Sequence, residues 1–361
     1  MQVSAATFRN AALLLFVPLS LALHHFSLVA PHWVFLSGLV AIGVLADWVR
    51  RATEQVAEHA GSTIGSLLNV TFGNAAELVL ALFVLAQAQM QVVQAQITGS
   101  IIGTTLLFLG IAILVGGTRR ERQFFSKAQV GLLSTLLLLL TVAILLPVTF
   151  DLTERLVSPG ANLLVLDERL SLCVSVVLLL LYGAHLIYVL VTQRVMFVGE
   201  SKERVAPEWS LPLGLAVMVG GTVGIAFESE LLSSRLSEAA SGLGLSPVFM
   251  GVVVLALIGT VADLFAAVAF ARSDKMDIVL GLCLGSAIQI ALVVAPVLVL
   301  VSWAIGHPMS LVFASPLNLF AIASATFIVR AIVEDGETNW YEGFVLVGVY
   351  VLFALAFFFQ R

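Results

Sequence analysis

An all-α polytopic membrane protein with eleven transmembrane helices is predicted by three features of the sequence. Its apolar stretches are long and continuous, charge is scarce, and the basic residues gather on alternate connections. Hydrophobic residues make up 60% of the 361-residue chain and charged residues 11%, against about 25% charged in a soluble domain; the mean hydropathy is +1.09. A porin-type barrel would show short alternating segments instead. No stretch is left for a second folded soluble domain. The net charge of −5 and the lack of a basic stripe argue against a nucleic-acid partner, so the lipid bilayer is the expected one. Cys173 and Cys283 both sit in apolar runs, which excludes a disulfide framework and disfavours a thiolate metal site.

Segments long enough to cross roughly 30 Å of hydrocarbon are predicted at 11–30, 32–49, 61–87, 91–116, 128–147, 168–192, 209–231, 247–271, 276–303, 311–331 and 340–360. The first lacks a clear small-residue cleavage site and is followed at once by another span, so it reads as a helix, not a removable leader. The longest non-apolar connections are 148–166 and 193–208. With the N-terminus in the cytoplasm, that side carries Arg9, Arg50, Arg51, Arg119, Arg120, Arg122, Lys127, Arg194, Lys202, Arg204, Arg272, Lys275 and Arg330. Only Arg155, Arg169, Arg235 and Arg361 fall on the other. This bias obeys the positive-inside rule and places the C-terminus outside.

Sliding the chain along itself exposes a repeat. At an offset of 186 residues Gly73–Asn74–Ala75–Ala76–Glu77 falls on Gly259–Thr260–Val261–Ala262–Asp263. Met90 then meets Met276, Gly99–Ser100 meets Gly285–Ser286, and Ile102 meets Ile288. The carboxylates lie in the third and eighth spans, an odd number of helices apart, so the second repeat is inverted in the membrane. The architecture is one extra helix plus two inverted five-helix repeats, at 32–194 and 209–361, with a charged linker over 195–208; residues 1–50 hold the first two helices, the second opening repeat one. Inverted repeats with an ion site near the midplane are a mark of secondary transporters.

A charge at mid-bilayer costs roughly 2.5–3.5 kcal/mol on insertion scales, so Glu77 and Asp263 read as functional. Asn74 precedes Glu77 by three residues, and Thr260 precedes Asp263 by the same interval, so each pair shares a helix face. Gly73 and Gly259 are expected points of helix irregularity, where backbone carbonyls turn inward. With Ser100, Ser286 and Gln289 they form an all-oxygen set suited to Ca²⁺, Na⁺ or Mn²⁺. Without a cation, two close carboxylates in low dielectric retain a proton; cation and protons then compete for one site, which is antiport. Ser100 and Ser286 also adjoin glycines in G-x-x-x-G spacing (Gly99/Gly103, Gly281/Gly285), and close helix packing accounts for them about as well. Glu228 and Glu230, near the outer end of the seventh helix, are candidates for cation or proton access, a solvated helix end being the alternative. Glu54, Glu58 and His59 read as a solvated amphipathic turn. His24, His25 and His185 read as structural or interfacial.

The stretch "ATEQVAEHAGSTIGSLLNVTFGNAAELVLALFVL" resembles the first repeat of the cation/proton exchangers (CAX) of the calcium/cation antiporter superfamily. "DKMDIVLGLCLGSAIQIALVVAPVLVLVSW" and "EDGETNWYEGFVLVGVYVLFALAFFF" resemble the second. The resemblance implies an eleven-helix fold with the acidic motifs face to face, and exchange of Ca²⁺, sometimes Mn²⁺ or Na⁺, for H⁺. It makes Glu77 and Asn74 ligand positions, puts Glu230 where the family commonly has an acidic residue, and matches Gln289 to the family's Gln after Gly–Ser. The second motif departs from the family's G-N-A-A-E-H: residues 259–264 read "GTVADL", Ala256 stands where Pro is usual, and Thr104 where Asn often follows Gly–Ser. Aspartate is one methylene shorter, which sets its carboxylate back by roughly 1.5 Å.

The expected function is secondary-active Ca²⁺/H⁺ antiport, not enzymatic catalysis, with no resident cofactor, in a prokaryotic inner membrane, since no long regulatory tail precedes the first helix. Three alternatives stand beside it. One is an exchanger preferring Na⁺, K⁺ or Mn²⁺, motivated by the altered second motif. Another is an intramembrane hydrolase using Glu77 and Asp263 as acid and base. The last is a non-transporting paralogue, against which the retained Asp263 argues.

Overall fold

A computed structural model describes residues 14–26, 31–118, 120–157, 163–188, 208–313 and 315–360. The described residues form eleven helical segments: α1 (Phe16–Phe26), α2 (Pro31–Phe72), α3 (Ala75–Ala86), α4 (Met90–Gly117), α5 (Lys127–Val157), α6 (Leu163–Ile187), α7 (Leu211–Leu243), α8 (Pro247–Arg272), α9 (Met276–Ala304), α10 (Pro316–Val333) and α11 (Trp340–Phe359). Nine are long and apolar enough to cross a membrane; α1 and α3 are shorter among the described residues. The linker predicted over 195–208 lies, apart from Glu208, outside the described residues, as do the side chains of His24 and His25.

Several boundaries differ from expectation. The second and third spans are joined by helix, not by a polar turn: residues 50–60 lack Gly and Pro, and Arg50 and Arg51 pair along the helix with Asp47 and Glu54. Glu54, Glu58 and His59 are exposed as expected, on a helix. In an ideal helix residues 57 and 65 stand about 12 Å apart, yet a Cβ on Gly65 would lie 3.0 Å from that of Ala57. Helix α2 therefore doubles back, and its tail with α3 makes the third span, broken at Gly73–Asn74. Helix α5 continues ten residues past Pro147, carried by the Asp151–Arg155 ion pair. Helix α7 runs on to Gly244, whose φ of 69° ends it in the left-handed region that favours glycine.

Two ends of the bundle are defined by contacts. At one, β1 (Gln123–Phe124) pairs antiparallel with β2 (Glu337–Thr338), Arg122 bonds Glu337, Arg120 reaches Asp274, and the Ser126 amide donates to Asp277. Arg120, Arg122, Lys127, Arg272 and Lys275 lie in or beside these connections. At the other, the Leu311 amide donates to Ser171 in the third turn of α6. Residues 38–56 of α2 pack antiparallel to 214–232 of α7 through small residues: Gly214 faces Val56, Gly221 faces Val49, Gly224 faces Leu45, and Gly38 faces Leu232. Stretches 103–108 in α4, 250–255 in α8 and 290–294 in α9 wind as π-helix. Those in α4 and α9 start one residue apart under the 186-residue offset. Wider turns of this kind concentrate at functional sites.

Candidate cation site

The break at Gly73–Asn74 places Asn74 at the N-cap of α3. Its side chain makes no cap bond there, because it is spent across the bundle. Asn74 Nδ2 donates to Gln289 Oε1 at 2.8 Å, and Ser286 Oγ donates to Asn74 Oδ1 at 3.2 Å, both partners lying on α9. An asparagine of one half is thus clamped by a serine and a glutamine of the other.

Glu77 lies in the first turn of α3, where the positive end of the helix dipole favours a carboxylate. It is 2% exposed, and its Oε2 is buried with no hydrogen-bond partner. Ser100 of α4 sits beside it, and Asp263 of α8 is within electrostatic reach. Asp263 in turn is buried and lies beside Ser286. The structure therefore brings Asn74, Glu77, Ser100, Asp263, Ser286 and Gln289 together.

Gly259 and Thr260 behave differently from expectation. Gly259 does not break α8, which is continuous through it; the irregularity sits earlier, in the π-helical turn 250–255. A helix held by packing on several sides tolerates a mid-helix glycine at about 1 kcal/mol. Its carbonyls therefore stay in the helix ladder, and what the missing side chain provides is proximity: a Cβ there would lie 2.7 Å from Glu77 Cγ. Thr260 is buried, but its hydroxyl proton goes back to the Ala256 carbonyl at 2.8 Å, leaving it only lone pairs to offer. Thr104 bonds its own helix in the same way, at Ser100 O.

The glycines beside the serines are not equivalent. A Cβ on Gly99 would overlap the Val252 carbonyl oxygen, so α4 and α8 touch backbone to backbone there; around Gly285 a Cβ would meet nothing within 4 Å. Helix packing accounts for Gly99 and not for Gly285.

The two access candidates, Glu228 and Glu230, lie in different surroundings. Two residues apart on a continuous helix they face nearly opposite ways: Glu228 is 1% exposed and Glu230 is exposed. Glu228 accepts a short hydrogen bond from Ser20 of α1, and its Oε2 has no partner and borders a cavity lined by Phe35, Gly38 and Arg235. His185 is half-buried, its ring beside that of Tyr182. Gln96 was missed: buried on α4, it donates to the Glu77 carbonyl at 3.3 Å and keeps Oε1 unpartnered. Its repeat counterpart is Leu282, so the internal offset carries no signal for it. Among the described residues no three His, Cys, Asp or Glu side chains gather as a metal cluster, so the candidate site rests on two carboxylates with amide and hydroxyl groups.

The family model described as "Sodium/calcium exchanger protein" matches residues 31–191 and 213–359. A protein of Synechocystis sp. named Ca²⁺/H⁺ antiporter is 41% identical, covering 96% of each chain. One of the same name from Aphanothece halophytica is 39% identical, covering 96% of this chain and 95% of its own. The solved structure of native YfkE superposes with a TM-score of 0.83 at 32% identity, covering 97% of this chain and 99% of that one. An integral membrane fold, an oxygen-lined carboxylate pair and these matches agree: the chain belongs to the sodium/calcium exchanger protein family.

Proposed function

We propose that the protein exchanges Ca²⁺ for H⁺ by alternating access, with Glu77 and Asp263 binding cation and protons in turn. The observation that carries this is the Glu77 Oε2 atom, buried, unpartnered and within reach of a second carboxylate. Such an oxygen is costly until a cation or a proton sits on it. Ca²⁺ suits a site of carboxylate, amide and hydroxyl oxygens, and the relatives named Ca²⁺/H⁺ antiporters, 39% and 41% identical, support it as the cargo. On departure of the cation, burial and mutual repulsion make the doubly ionised pair unfavourable, so protons replace it.

Asn74 keeps the two halves in register across this exchange, held by Ser286 and Gln289. Gln96 steadies the backbone that carries Glu77. The contrast between closed Gly99 and open Gly285 supports a route to the site from the basic end, with the opposite route shut. By the positive-inside rule that end, with the N-terminus, faces the cytoplasm and the C-terminus lies outside, in a prokaryotic inner membrane. Inverted repeats at 32–194 and 209–361, joined by the linker 195–208, are supported by the two stretches the family model matches. Glu228, buried with a free oxygen beside a cavity, serves as a station for protons or cations away from the main pair. Asp263 and Thr260 leave one half of the site with a shorter carboxylate and a hydroxyl already turned to its own helix. This favours a selectivity that admits Mn²⁺, Na⁺ or K⁺ as the second reading.

The test is reconstitution in liposomes with a pH-sensitive dye, adding Ca²⁺, Mn²⁺, Na⁺ or K⁺ across an imposed pH gradient. Ca²⁺-dependent proton movement is expected, and none with any cation overturns the proposal. Asp263→Glu should reorder the cation ranking more than it changes folded yield. Undiminished transport by Asp263→Asn would show that the paired carboxylates are not the mechanism.

A further inference from the structure

We infer that Arg50 is a built-in competitor of the transported cation, a positioning charge between the basic end of the bundle and Asp263 that sets cation affinity on that side. The inference rests on the Ca²⁺/H⁺ reading above. Arg50 follows Gly43 by seven residues, two turns on, so both occupy one face of α2. That face is the one turned to α8: a Cβ on Gly43 would lie 3.3 Å from Val261 and 3.4 Å from Ile258. Asp263 is two residues past Val261 and nearer the basic end, the direction in which Arg50 lies.

The Arg50 side chain is only 16% exposed. Its Nη2 bonds Asp47 at 3.2 Å and its Nη1 bonds Glu54, while its Nε is buried without a partner. The charges of Arg50 and Glu54 both reach Asp263, with opposite sign. The other groups around that carboxylate are Glu77 of α3 and Ser286 and Cys283 of α9. The space around Gly285 lies in the same half of the bundle as Arg50, so on the route from the basic end proposed above the guanidinium stands on the side of entry.

A guanidinium keeps its charge at any working pH. With no cation bound, it has a spare donor and a field that favours Asp263; an arriving divalent cation meets that field as repulsion. Glu54 draws Arg50 the other way, toward solvent, and half of its own side chain is exposed. Arg50 thus lowers affinity on the open side and aids release there, while Glu54 moderates it. Because the two charges are opposite in sign, removing that of Arg50 raises Ca²⁺ affinity and removing that of Glu54 lowers it.

Equilibrium Ca²⁺ binding to the purified full-length protein, paired with initial rates of Ca²⁺-driven proton movement in liposomes, tests this. Arg50→Gln should bind Ca²⁺ about tenfold more tightly and turn over more slowly. Glu54→Gln should bind it more weakly, and Arg50→Lys, which keeps the charge, should stay near wild type in affinity. Shifts of the same sign for Arg50→Gln and Glu54→Gln, or Arg50→Lys behaving as Arg50→Gln, would show a structural role and overturn the inference. Wild type binding Ca²⁺ with Arg50→Gln unchanged overturns it alone. Wild type binding no Ca²⁺ overturns the Ca²⁺ reading and this inference together.

Discussion

Glu77→Gln is expected to abolish cation-driven proton movement while the protein still folds. The substitution keeps the size and polarity of the side chain and removes only the charge and its exchangeable proton. Loss should exceed about 100-fold, the upper range seen when even an outer partner of a metal site is removed. Stability should hold or rise, because replacing a buried ionisable group by a neutral one removes a desolvation cost. The two readouts separate function from fold. Thermal unfolding in detergent should give a Tm at or above that of wild type, and the liposome assay should give no signal. Retained exchange in this variant would sink the assignment of Glu77 as the shared site for cation and proton.

The second large effect is expected where the repeat is least symmetric. Gly99→Ala should unfold the protein or halve its yield, whereas Gly285→Ala, at the equivalent position, should leave Tm unchanged. At Gly99 a Cβ would overlap the Val252 carbonyl and lie 2.7 Å from the Ala256 Cβ, and backbone cannot rotate away as a side chain does. Helices α4 and α8 would have to separate, at a cost of about 3 kcal/mol or more, the upper end of overpacking. At Gly285 the added methyl enters open space. Thermal unfolding of the two variants side by side checks this; equal destabilisation would mean that the two halves adopt the same packing and that the site has no open side.

Much of the fold and of the candidate site was legible in the residues. The eleven spans followed from hydropathy and charge bias, because a chain in hydrocarbon must satisfy its backbone within helices and those helices must be long. Glu77 and Asp263 stood out because an ionisable group in an apolar run is too costly to keep unless it serves a site. Connections were harder. Residues 50–57 stay helical because their ion pairs are local and nothing there stops a helix, the chain reversing only between Ala57 and Gly65, and α5 likewise runs on past Pro147. Gly73 and Gly259 share one motif, yet only the first breaks its helix, since the neighbours of Gly259 press α8 against Glu77 and hold it regular.

The sequence by itself determined the class of fold, the carboxylate pair and the altered second motif, since these depend on composition, periodicity and internal offset. The tertiary structure alone decided which oxygens meet. It turned Asn74 toward Ser286 and Gln289, brought in Gln96, separated Glu228 from Glu230, and closed Gly99 while leaving Gly285 open. Those outcomes depend on helices far apart in the chain, whose approach is set by side-chain volume at crossings that no local pattern encodes.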